Sequence, residues 1–417
     1  MHNWVNLSST NNEFSSKSQC PIIRGLRSDG ENTDLVKQWV LKDLHQSQGE
    51  KTNEEVEAIG EERFKKILEW RKLVNSELVD REEDRSFCIS ALGRLISAQF
   101  SGKAQSYAAV EWTLIRLLNS IVDRKPITVT YCFGGYKNHH SPSFPEVDWA
   151  ELFHLNYLVS FLYPIIKNYK HGVEIEYESE EVSIQFNNVP QSKTDQYSNT
   201  FRKLIKYYSS ALLSSYGLEV PISICFARDL YGCDINELYR LIDEKKSSYL
   251  SIFNGLNSFE KEKWIQRAAY NFLWDNGIKS YGNLTDSERY EIYLNARITN
   301  EAFLEADYVL RGEWFENKYR IPITGTWGRM PSAQPIDGWL HIKSTESSLV
   351  DFWIGTGVLE FTNANLNDSY REEILSKTQY DKIKARIEYL GNQDSRLIDV
   401  SHNFEKIPYY ITNEVSI

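Results

Sequence analysis

The stretch that decides the fold runs from Lys125 to Glu151 and reads KPITVTYCFGGYKNHHSPSFPEVDWAE. Its first part, Ile127 to Phe133, is a β-branched and aromatic run that ends in Gly134-Gly135, which predicts a strand closing in a tight turn. Tyr136, Lys137, Asn138, His139 and His140 follow, and then a helix start. Ser143 and Glu146 stand at capping-box spacing, with Pro145 in the expected first turn. A strand that hands a lysine and two histidines to the mouth of a helix is a common way for α/β proteins to build a site.

Outward from this stretch, helical and strand patterns alternate. Upstream, Val110, Leu114, Leu117, Leu118 and Ile121 recur at helix spacing and stop at Asp123-Arg124-Lys125-Pro126. Downstream, Trp149, Leu152, Phe153, Tyr157 and Phe161 form one apolar side of a helix that Pro164 is expected to kink or divide. Val173 to Tyr177 predicts a strand, and the alternation from Glu181 to Phe186 predicts that it turns back as a hairpin. A helix follows, capped by Ser192 or Thr194 and closed by Gly217, and Val220 to Phe226 predicts a further strand. Residues 234–316 return to helix, 319–361 to short β-like runs between turns, and the tail to one helix over Arg371–Leu390. The fold class expected is α/β, a Rossmann-like mixed sheet flanked by helices with a helical N-terminal portion. The division expected is an arm and helical extension over 1–100, an α/β core over 101–364 and a helical tail over 365–417.

Composition narrows the function. The 417 residues are 41% hydrophobic and 25% charged, as in a globular protein, and the formal charge of −11 disfavours a nucleic-acid partner. The five cysteines are odd in number and form no CxxC pair, so neither a disulfide framework nor a zinc site is indicated. No signal peptide is read at the N-terminus and no apolar run approaches the ~20 residues of a membrane span, so a cytoplasmic location is expected. The 25 Tyr, 19 Phe and 11 Trp fit an aromatic core or a pocket for a flat substrate.

No Walker loop, GxGxxG, HExxH or GxSxG pattern occurs. Lys137, His139 and His140 supply a cation and general bases, unless they form a solvated loop. Asp148 and Glu151 share one helical edge, where they orient a histidine or a substrate amine or are ordinary first-turn acids. A second concentration runs over 318–360: Arg320, Thr324, Arg329, Ser332, His341, Lys343 and Trp353 lie among glycines, in a pattern that suits a phosphate or carboxylate or else a β-rich surface with ordinary turns.

Taken together, residues from about 110 to 360 resemble the isonitrile synthase family, the pyoverdine and dityrosine biosynthesis proteins. The resemblance rests on Lys125-Pro126-Ile127, Tyr136-Lys137-Asn138, Phe144-Pro145-Glu146, Tyr169-Lys170-His171-Gly172, Glu178-Ser179-Glu180, Val189-Pro190 and Tyr197, taken in order. Arg320, Ser332 and Trp353-Ile354-Gly355 continue it. Thr324 and Ile354 stand where the family has histidines.

The resemblance implies a Rossmann-like fold and an enzyme that uses no cofactor and no metal. Its implied reaction condenses an amino acid's amine with the ketone of ribulose 5-phosphate, whose C2 becomes the isonitrile carbon. Within that reading the catalytic residues expected are Lys137, His139, His140 and His341, and the substrate contacts expected are Tyr136, Glu151, Arg320, Arg329, Ser332, Lys343 and Trp353; the resemblance itself picks out Lys137 and Arg320. The expected partners are small molecules, an amino acid and a sugar phosphate; neither nucleic acid nor membrane is among them, and a homo-oligomer is left open. The alternative reading is a diverged, non-catalytic member that binds an anionic small molecule or a partner protein.

Overall fold

A computed structural model describes residues 58, 60–65, 81–97, 105–133, 137, 141, 143–179, 181–182, 189–232, 234–261, 285–315, 317–325, 339–362, 370–391 and 400–412. Tyr136, His139, His140, Arg329 and Ser332 lie outside them, as do residues 1–57 of the helical portion expected at the N-terminus.

The run Ile127–Phe133 is strand β1, buried at every position but Thr128. Helices α1 (Glu82–Ile96) and α2 (Tyr107–Val122) precede it, and α3 (Trp149–Asn168) follows. The chain then runs through β2 (Val173–Ser179), α4 (Gln191–Tyr216) and β3 (Ile222–Phe226). Next come α5 (Ile235–Gly255), α6 (Asp286–Phe315), β4 (Arg320–Gly325) and β5 (Leu340–Ile342).

These five strands form one sheet in the order β3-β2-β1-β4-β5, parallel at every pairing. The chain builds outward from β1 on one side and then returns to build on the other. That reversal makes the ends of β1 and β4 a topological switch point, where α/β sheets bind ligands beyond their carboxyl ends. Among the described residues antiparallel pairing is confined to a second sheet of β6 (Thr356–Phe361), β7 (Tyr370–Leu375), β8 (Glu388–Gly391) and β9 (Lys406–Ile411), ordered β7-β6-β9-β8. The single mixed sheet expected is therefore a parallel sheet and a separate mixed one. Phe361, Ile374, Phe404 and Tyr409 of the second sheet's region join the same apolar core as Val129, Ile323 and Leu158. Gly357 shows how tightly it docks, since a Cβ there would lie 2.3 Å from the Ala150 nitrogen at the start of α3.

Four local expectations are corrected. Helix α3 starts at Trp149, with its capping box made by Asp148 and Glu151 and not by Ser143 and Glu146. Proline at 145 biases Phe144 away from helical backbone and so delays the start. The same helix runs through Pro164 without division, which leaves the kink of the two outcomes expected there, because burial on nearly all sides outweighs one missing hydrogen bond. The strand β2 is not a hairpin arm: β1 and β3 flank it in parallel, and Glu181 and Val182 are helical, while residues 183–186 lie outside the described residues. Arg371–Leu390 is strand, helix and strand in turn: β7, the helix Lys377–Ile383 with its own Ser376–Gln379 capping box, and β8. The charges of Tyr370–Leu375 read as a solvated helix face, but they sit on an edge strand with one side open to water. Among the described residues no helix is long and apolar enough to cross a membrane.

Candidate functional site

A parallel sheet covered by helices normally presents apolar side chains on both faces. Here one face does so: Tyr177, Tyr131, Ile323 and Leu340 lie in one row across four strands. The other face is polar. Thr130 aligns with Glu176 and Ser223, Cys132 with Glu178 and Cys225, Thr128 with Arg320, and Thr324 with His341. The VEIEYES alternation of β2 produces this, because a period of two places Glu174, Glu176 and Glu178 on a single face.

The polar face is organised by arginines. Arg311, buried on α6, meets Glu178 at 2.5 Å and also pairs with Asp307, whose other oxygen accepts the Tyr231 hydroxyl at 3.0 Å. Burial pushes the Glu178 carboxyl above its ordinary value, against the pull of Arg311. Burial opposes the charge on Arg311 too, yet Asp307 and Glu178 raise it well above the usual arginine value. Arg320 pairs with Glu176 at 2.9 Å and lies over the Trp314 ring, 4.3 Å from its centroid.

On β5, His341 Nδ1 lies 3.1 Å from the Gly325 carbonyl. A carbonyl only accepts, so Nδ1 carries the proton and Nε2 is the acceptor of the neutral ring. Gln105 fixes the strand position by bonding both the His341 nitrogen (2.9 Å) and oxygen (2.6 Å). Gly325 is required where it stands, because a Cβ would fall 1.3 Å from Asp351 Oδ1. That carboxylate accepts from the Tyr131 hydroxyl at 3.1 Å.

Lys137 and Glu151 form a different cluster. Lys137 Nζ lies 2.7 Å from each Glu151 oxygen and 3.0 Å from Asp148 Oδ1, and the Tyr197 hydroxyl donates to Glu151 Oε1 at 2.6 Å. Lys137 and Glu151 are fully enclosed. Burial pushes the Glu151 carboxyl up to about 7, with Lys137 pulling the other way. The cluster ties the chain beyond β1 to the N-terminus of α3, so in this arrangement the ammonium serves as a latch.

Of the sequence-predicted site residues, Arg320 and His341 share the polar face, and Lys137 and Glu151 share the latch. Arg320 opens β4, level with Thr128, and Lys137 lies beyond Phe133 at the opposite end of β1, so roughly 16 Å of strand separates their backbones. Lys343 donates to the Glu346 carbonyl at 3.0 Å, and Trp353 is buried in the turn before β6. Sequence reasoning missed Arg311 and Asp307 of the polar face. It also missed His154 on α3, which stacks on Phe352 at 4.4 Å and is pushed down to about 3 by burial. Only the glutamate alternation of β2 signalled the polar face. A surface cavity of about 590 Å³, lined by Glu146, Asp195, Asn199, Lys203 and His402 among others, includes none of the predicted residues. Among the described residues no three His, Cys, Asp or Glu side chains stand as a metal-ligand set.

Two buried glutamates predict a pH dependence. Burial pushes Glu181 from 4.5 up to about 7, although the Ala227 and Arg228 nitrogens donate to it, and Glu151 shifts alike. A carboxyl raised in the folded state binds more protons there than in the unfolded chain between these values. Stability is therefore fullest below pH 4.5 for these groups and falls as pH rises through 7. Glu181→Gln should remove part of that fall, on the order of 2–3 kcal/mol, in urea unfolding across a pH series. An unchanged pH slope in the variant would refute the assignment.

No protein-family model matches the chain, and no curated protein matches it significantly. Among solved structures it is distantly similar to PvcA from Pseudomonas aeruginosa, an isonitrile-synthase-family protein. The identity is 13% and the TM-score 0.49, over 78% of this chain and 100% of that one. Likeness at that level says nothing about which residues perform chemistry.

Proposed function

We propose that this protein is a cytoplasmic small-molecule biosynthetic enzyme of the isonitrile-synthase type. In this reading it condenses the amine of an amino acid with the ketone of a sugar phosphate, ribulose 5-phosphate or a related carbonyl compound. The observation that carries the reading is the polar sheet face, with a guanidinium at the amino end of β4 and an imidazole beside a hydroxyl at the carboxyl ends of β4 and β5. The order of motifs in the sequence supports it independently.

In this reading Arg320 holds the phosphate, its guanidinium already steered up the sheet toward Glu176. The ketone lies toward Thr324 and His341. As the amine attacks the carbonyl carbon, His341 Nε2 takes one amine proton and returns it to the oxygen; the second N–H proton follows the same route as the C–O bond breaks, so the oxygen leaves as water, the imine forms and the ring is neutral again. Glu178 and Arg311 keep the neighbouring strand charged but internally paired.

The test is incubation of the purified protein with amino acids and ribulose 5-phosphate labelled at C2, read by mass spectrometry. Label in an isonitrile carbon is the expected result. Arg320→Gln should raise KM for the sugar phosphate by ~10- to 100-fold, the loss of one charge-assisted hydrogen-bond partner. Sugar phosphate bound without labelled product would sink the enzymatic reading.

That second outcome has its own support. Lys137 is enclosed by carboxylates, and Thr324 and Ile354 replace two family histidines. A diverged member that binds an anionic small molecule without turning it over fits these features.

A further inference from the structure

Among the described residues, one buried arginine has neither a carboxylate nor a carbonyl oxygen paired with it. Arg116, on α2, is 6% exposed. Its guanidinium lies over the Trp112 ring, 4.5 Å from the centroid, and its Nε has no hydrogen-bond partner. Every other buried guanidinium described above has carboxylate or carbonyl oxygens against it. Arg94, for contrast, donates to the carbonyls of Phe161 and Ser160. The charge influencing Arg116 most strongly from outside is another cation, Arg320, and burial with that repulsion pushes Arg116 down to about 10.

The placement of the two arginines follows from the backbone. Asn119, one turn after Arg116, donates to the Lys318 carbonyl at 3.0 Å, two residues before Arg320. Helix α2 therefore passes the start of β4, with Arg116 one turn from that contact on the helix and Arg320 two residues beyond it on the strand side. Arg320 itself keeps a buried Nε with no partner, although Glu176 and the Trp314 carbonyl occupy its outer nitrogens. Two guanidiniums in a low-dielectric setting, each backed by an indole ring and each with an unfilled donor, are an unfavourable arrangement unless an anion lies between them.

We propose that Arg116 and Arg320 together form an oxyanion site for a phosphate group, with Arg116 the cation dedicated to the ligand and Arg320 shared with Glu176. The site rests on the proposed function only in sharing Arg320, and it is testable without turnover. An indole ring against each guanidinium restricts its motion, and the unfilled donors match the several acceptor oxygens of a phosphate.

The test is thermal unfolding of the full chain in inorganic phosphate, in a phosphate monoester and in acetate, at matched ionic strength. Wild type should gain about 4 °C at saturating phosphate or monoester and much less in acetate. Arg116→Met keeps the apolar stem and removes the charge. It should unfold at or above the wild-type temperature without ligand, and its phosphate gain should disappear. Should that variant fold poorly, phosphate titration of wild type by calorimetry and of Arg116→Lys gives the same decision, with a weakening of ~10-fold expected in the lysine variant. No saturable response in wild type, an equal gain in acetate, or a phosphate gain preserved in the variants each overturns the site. Failure of the labelled-isonitrile assay alongside a phosphate gain lost in Arg116→Met would sink the enzymatic reading and leave this one standing.

Discussion

Lys137→Met should destabilise the protein by about 3–5 kcal/mol, because it leaves two buried carboxylates without their cation. Glu151 is fully enclosed and Asp148 nearly so, and both lie within 3.0 Å of the ammonium. A loss of that size is a large part of the 5–15 kcal/mol that typically holds a domain together. The deficit should shrink at acidic pH, where Glu151 takes up a proton and no longer needs a counter-charge. Replacing Lys137 and Glu151 together by Met and Leu should recover the part of the loss that Glu151 causes, less about 1 kcal/mol for the broken capping box, while Asp148 still lacks its cation. Urea unfolding of the single and double variants at pH 5 and pH 8 measures all of this. A Lys137→Met protein as stable as wild type but unable to bind or turn over substrate would overturn the latch and return the lysine to the chemistry.

Arg311→Leu is the second large effect. The guanidinium is the shared partner of Glu178 on β2 and Asp307 on its own helix, all of them buried. Removing it should cost about 3–5 kcal/mol. Glu178, already pushed up by burial, loses the pull that opposes the shift, so its carboxyl should rise further. The sign follows: the variant is closest to wild type at low pH and loses ground as pH rises through the new folded-state value. Arg311→Leu combined with Glu178→Gln should be more stable than Arg311→Leu alone at pH 8. If the combination is no better, Glu178 is not charged in the native protein and the pairing described here is wrong.

These two clusters show where the sequence was legible and where it was not. The strand at Ile127–Phe133 and the one beginning at Val173 could be read because β-branched residues and period-two alternation leave a local signal. Gly217 closes its helix in the left-handed conformation, as its position suggested. The error over Arg371–Leu390 had a local cause, since an edge strand with charges on its open side and an exposed helix share a composition. Lys137 and Glu151 were both picked out, but as groups facing a substrate. Nothing local distinguishes a lysine that faces a ligand from one that faces two carboxylates within fourteen positions of it.

Arg311 and Arg116 were not picked out at all. Each sits in an amphipathic helix where an arginine ordinarily faces water, and each acquired meaning from a strand far away in the chain. Glu178 lies 133 positions from Arg311. By itself the sequence determined the alternation of strands and helices around Lys125–Glu151 and the glutamate alternation of β2, because both are set by neighbours a few residues apart. Only the tertiary structure decided that Lys137 is enclosed, that Arg320 and His341 share one sheet face, and that Arg116 is buried without a counter-ion. Those outcomes depend on which strands pair and in what register, and burial changes the electrostatics of a charged group only once distant segments have excluded water from it.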